Sequence, residues 1–154
     1  MFRIDSESKK FLKKLGEPWS FIKTDQEFGY LCFLYGLAKG VSIDLENADT
    51  DETARTYVTE INPIKYLIAG MIGLSNLKRR GEAFDDEKIL NREFQKLLDN
   101  DNPQKISKSA VAEVNRITFA GFRELSEDMP RPDHMTFFLT EYLRLLRNAF
   151  QDNW

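Results

Sequence analysis

The 154-residue chain reads as an all-α protein: a single-domain bundle of five to six helices spanning 1–154, with two apolar, glycine-bearing helices at its centre. Three observations predict this. Two segments, Phe28 to Lys39 and Ile64 to Leu77, are apolar over a full helical length. Helix start and stop residues recur at the ends of most apolar-periodic stretches. Alternating apolar and polar runs, the mark of a half-buried strand, are almost absent.

Asp5 to Leu15 is expected to form a short amphipathic helix, with Phe11, Leu12 and Leu15 on one side and Lys9, Lys10, Lys13 and Lys14 on the other. Gly16 and Pro18 should end it, leaving Trp19 to Lys23 as a connector that can be extended. Thr24-Asp25-Gln26-Glu27 is a capping box, in which Thr24 and Glu27 satisfy each other's backbone N–H groups. The helix that follows is apolar almost all round, so it must be covered on several sides. Gly29 and Gly36 lie seven residues apart on nearly one face, and Gly40 is placed to stop the helix.

Residues 41–62 carry six acids against Arg55 alone and read as a solvated acidic connector, with room for one strand or helical turn at Thr56 to Thr59. Asn62 and Pro63 are suited to cap and open the second central helix. That helix runs through Gly70 and Gly73 to Lys78-Arg79-Arg80 and stops at Gly81. The two central helices are expected to cross through their glycines, where close backbone approach would offset about 1 kcal/mol of lost helix propensity per glycine.

Asp85 to Asp99 forms an amphipathic helix with Ile89, Leu90, Phe94, Leu97 and Leu98 inward, closed by the Asp99 to Pro103 turn. A further helix begins at Ser107 or Ser109 and ends at the two prolines, Pro130 and Pro132. The last helix runs from about Asp133 to Phe150.

Composition limits function. Hydrophobic residues make up 42% of the chain, enough for one core. The formal charge of -3 carries no global signal for nucleic acid. Cys32 is the only cysteine, which excludes an internal disulfide and suits a reducing compartment, so a cytoplasmic location is expected. The charged N-terminal stretch lacks the apolar core of a secretory signal. No apolar segment reaches the ~20 residues of a membrane span, so no membrane is expected as a partner.

No glycine-rich phosphate loop is present, and one histidine, His134, cannot supply a two-His metal site; it reads as a surface or capping residue. Cys32 lies in the most apolar segment, where a thiolate is disfavoured. Asp49, Asp51 and Glu52 lack the spacing of a calcium loop. No catalytic, cofactor-binding or metal residue is assigned, no cofactor is expected, and the chain is read as a non-enzyme. The candidate nucleic-acid contacts are Lys9, Lys10, Lys13, Lys14, Lys78, Arg79 and Arg80, and the candidate partner surface is the aromatic set Phe137, Phe150 and Trp154.

The stretch from Phe21 to Gly40 resembles the opening of small helical proteins associated with phosphorothioation-linked (Dnd-type) bacterial defence loci, in which an aromatic-flanked Thr-x-x-Glu cap leads into an apolar helix ending at glycine. Ile64 to Leu74 and Glu113 to Leu125 follow in the order such proteins show, whereas the insert from Val41 to Ile61 departs from it. The resemblance implies a non-catalytic accessory subunit working beside a larger protein in defence against foreign DNA, and it carries over no functional residue. The expected function is therefore an accessory or interaction subunit of a bacterial nucleic-acid-processing or anti-phage complex. The alternatives are a DNA-binding module using the basic helix faces, and an enzyme with an unrecognised site. The partners expected are a larger subunit, DNA, or a second copy of the chain.

Overall fold

The structure is a computed structural model that describes residues 3–15, 22, 24–43, 50–52, 64–101, 105–129 and 132–154. Six helices dominate it: α1 (Ser6–Leu15), α2 (Asp25–Lys39), α3 (Lys65–Arg80), α4 (Glu87–Leu97), α5 (Lys108–Asp128) and α6 (Met135–Asn153). The all-α class and the helix number agree with the sequence. Two three-residue strands, β1 (Arg3–Asp5) and β2 (Thr50–Glu52), pair antiparallel with Ile4 opposite Asp51. Three residues are too short to establish a period of two, so the pairing left no pattern to read.

Local chemistry sets the helix ends. The Thr24 capping box forms with both bonds in place, Glu27 N–H to Thr24 Oγ1 at 3.2 Å and Thr24 N–H to Glu27 Oε2 at 2.9 Å. Gly40 and Gly81 end α2 and α3 at φ of 68° and 66°, left-handed geometry that costs glycine no Cβ clash. Helix α3 starts at Lys65 with Ile64 at its N-cap position. Asn62 and Pro63, expected to cap and open it, lie outside the described residues, as do most of the acidic connector, including Thr56 to Thr59, and the Gly16 to Pro18 stop. Asp86 caps α4, and Ser107 Oγ accepts from the Ala110 N–H at the start of α5. His134 Nδ1 accepts from the Phe137 N–H, the capping role being one of the two readings, surface or cap, that the sequence offered for that histidine.

The chain gathers into two compact units, residues 1–56 with 115–154 and residues 57–114, a level of organisation below the single bundle that the sequence suggests. The core of the first unit combines Phe28, Cys32 and Tyr35 of α2 with Phe122 and Leu125 of α5 and Phe138 and Tyr142 of α6. Phe11 of α1 closes an aromatic cluster there, 5.9 Å from the Phe28 and Phe122 rings and 6.0 Å from Phe138. In the second unit Ile68, Ala69 and Ile72 of α3, Leu77 near its end and Leu97 of α4 are buried.

The expectation that α2 and α3 cross through their glycines is corrected. Gly36 faces α5: a Cβ built on it would overlap the Ile117 carbonyl oxygen and sit 3.2 Å from Gly121 Cα. A Cβ on Gly121 would overlap the Cys32 carbonyl and lie 2.7 Å from Gly36 N. Gly73 instead faces α4, with Leu97 Cδ1 at 3.3 Å. Gly36 and Gly73 each have their partner within their own unit. Gly121 is the residue that the sequence reading lacked, since one glycine in a long amphipathic helix gives no sign of what it faces.

Candidate partner-binding surface

Helix α6 carries more apolar surface than its own core uses. At about 100° per residue, Met135, Phe138, Tyr142 and Ala149 fall within one narrow arc, and all four are buried. Beside that arc runs a second row, Leu139, Leu143, Leu146 and Phe150, at the 4-3-4 spacing of a helix-packing seam. Leu139 and Leu146 are half-buried against the core, while Leu143 is 64% exposed, Phe150 39% and Trp154 50%. Phe150 and Trp154 pack on each other with ring centroids 6.1 Å apart, and the Trp154 indole N–H donates to the Leu37 carbonyl at 3.3 Å. An aromatic side chain held by its polar atom with half its surface in solvent is suited to bury that surface against a partner.

The structure therefore joins two of the three aromatic residues expected on this surface. Phe137 stands on a different side of the helix, half-buried, with its ring edge-on to His134 at 6.0 Å. Leu143 belongs to the surface and was missed. The signal for it was present in the sequence, because the apolar residues from Leu145 round to Leu143 cover about 160° of the helix, wider than the stripe needed to face one core.

Charge is segregated on the solvent side of α6. The edge next to the apolar row carries Thr136, Thr140, Arg144, Arg147 and Gln151, with no carboxylate of this helix. Glu141 and Asp152 lie on the opposite edge. Arg144 is tied to Glu141 at 2.8 Å, whereas Arg147 is exposed and forms no ion pair among the described residues.

The Asp152 edge borders a cleft of about 400 Å³, lined by Tyr35, Lys39, Asp128, Leu145 and Asn148 among others. Asp128 Oδ2 accepts from the Tyr35 hydroxyl at 2.6 Å and from Lys39 Nζ at 2.8 Å, and Glu124 stands 3.3 Å from the same ammonium. Burial, reinforced by the Asp128 carboxylate, pushes the Tyr35 phenol far above its ordinary range. The hydrogen bonds from Lys39 and Tyr35 hold Asp128 below the usual carboxylate range. Tyr35 thus stays protonated and Asp128 ionised across neutral pH, so the pair braces α2 against α5 with its protons fixed; acid–base work needs a group whose pKa lies near the working pH.

The basic candidates fall into the two units separately. On α1, Lys10 is paired with Glu7 at 2.8 Å, Lys13 and Lys14 are exposed, and Lys9 is half-buried. At the end of α3, Arg80 bonds Glu93 at 2.7 Å and Glu82 at 2.9 Å, and Arg79 meets Glu113 at 3.3 Å and also bonds Asn76; Lys78 is half-buried. Glu93 is the least expected of these groups, a carboxylate on the inward face of α4 with its side chain 3% exposed, also accepting from Asn76 at 3.0 Å. Burial raises it, but the bonds from Arg80 and Asn76 prevail and hold it below the usual carboxylate range. Among the described residues no group of three or more His, Cys, Asp or Glu side chains could hold a metal ion, and no helix is long and apolar enough to cross a membrane.

Among the described residues the fold comprises six helices, with an apolar row left open on α6. Comparison of the chain with protein-family models, with curated proteins and with solved structures finds no match.

Proposed function

We propose that this protein is an accessory interaction subunit that docks onto a larger protein through the C-terminal half of α6, and that it works in the cytoplasm. The observation that carries the reading is the apolar row on that helix, with Leu143, Phe150 and Trp154 open to solvent beside a completed core. Three large apolar side chains on one helical face lose solvation free energy until something covers them, and their number and spacing suit a partner helix. The resemblance to helical proteins of bacterial DNA-defence loci makes a nucleic-acid-processing complex the first place to seek that partner. Direct DNA binding draws less support, since Lys10, Arg79 and Arg80 are engaged by carboxylates of the chain itself.

The test is purification of the tagged chain from its native host, followed by measurement of solution mass. The native chain is expected in an assembly with a larger subunit, and Leu143→Glu with Phe150→Glu is expected to return it to the free chain with its unfolding midpoint unchanged. A native chain that purifies alone as a monomer overturns the reading.

A further inference from the structure

We infer that the element seated on α6 is an amphipathic helix of a partner protein whose apolar seam is flanked by Glu or Asp. The inference rests on the docking role proposed for α6 and adds the chemistry of its occupant. Spacing supplies the first half. Leu139, Leu143, Leu146 and Phe150 repeat at four, three and four residues, the register in which a second helix seats its own side chains between them.

Charge supplies the second half. A helix lying on this row would place its flank over Arg147, the cation nearest the row on its solvent side, where α6 offers no carboxylate. Arg144 already has Glu141, but Arg147 makes no ion pair among the described residues and stands one residue from Leu146 in the middle of the row. An acidic flank gains a guanidinium partner there, and a basic flank meets like charge that becomes more costly as the contact excludes water. The same asymmetry argues against a second copy of the chain. An antiparallel pairing of two α6 helices about Leu146 and Arg147 sets Arg147 against Arg147, and a parallel pairing sets Arg147 against the opposite flank of the second copy, that of Tyr142 and Ala149, where there is no carboxylate.

Two fluorescein-labelled three-heptad peptides test this by anisotropy against the whole chain. Both carry Leu at a and d; one has Glu and the other Lys at e and g. The Glu peptide is expected to bind saturably and about tenfold more tightly than the Lys peptide at low salt, with the preference lost or inverted in Arg147→Glu. Equal affinity for both peptides, abolished by Leu143→Glu, overturns the acidic-flank inference and leaves the docking reading standing. Binding that ignores Leu143→Glu, or no binding of either peptide, overturns the inference, and in those cases loss of the host assembly in the Leu143 and Phe150 variant is the separate measure of the docking reading. A concentration-dependent dimer that Leu143→Glu dissolves assigns the row to a second copy and overturns the inference as well.

Discussion

At Gly36 and Gly121 the backbones of α2 and α5 approach closely, and each position admits no side chain because the other helix's backbone already fills the space. Gly121→Ala must displace the Cys32 carbonyl, and a loss of about 1–3 kcal/mol in chemical denaturation is expected. Gly70→Ala is the matched control. Its added Cβ meets only a ring atom of Phe94 at 3.9 Å, within ordinary contact distance, so the gain in helix propensity should raise stability by about 0.5–1 kcal/mol. Glu93 offers a different residue-scale test. Glu93→Ala leaves Arg80 and Asn76 without their buried acceptor, for an expected loss of about 1–3 kcal/mol. None of these three outcomes could be drawn from the sequence: a helical glycine or an inward Glu acquires its meaning from the atoms of another helix.

At the scale of the element, several helix ends were legible from short-range signals. The Thr24 box, the Gly40 and Gly81 stops and the His134 cap are short-range devices, and a reader needs only neighbouring residues to find them. Thr24→Ala removes one bond of the box and should cost about 1 kcal/mol, seen as a lower unfolding midpoint with no change in the slope against denaturant. The partners of the helices were less legible. Glycines in α2 and α3 suggested one crossing, and the structure contains two, with α5 and α4, because every helix presents several faces and sequence spacing identifies a face without naming what it meets. The α6 surface was half-legible for the same reason. Phe150 and Trp154 share a face, but Phe137 lies elsewhere on the helix and Leu143 takes its place in the exposed row.

Over the whole molecule, pH dependence follows from the direction of the shifts. Glu93 and Asp128 have folded values below their ordinary ones, so their contribution is complete above pH of about 4.5 and falls away as acid protonates them. Tyr35 and Tyr142 are shifted the other way by burial, from an ordinary value of 10.0; their contribution is complete below that value and is lost as pH rises beyond it, when the unfolded chain ionises first. A stability plateau between these limits is expected, with Tyr142→Phe weakening the alkaline fall while also giving up the hydroxyl bond to the Leu31 carbonyl at 2.8 Å. Urea unfolding followed across pH checks both edges. By itself the sequence determined the helical class and several helix ends, those at Thr24, Gly40 and Gly81 among them, since periodicity, caps and left-handed glycines act over a few residues. Tertiary structure decided which helices meet through glycine, that Glu93 is buried and satisfied, and that Gly36 packs on α5. Those outcomes depend on atoms distant in sequence, and only the folded chain brings them within reach of one another.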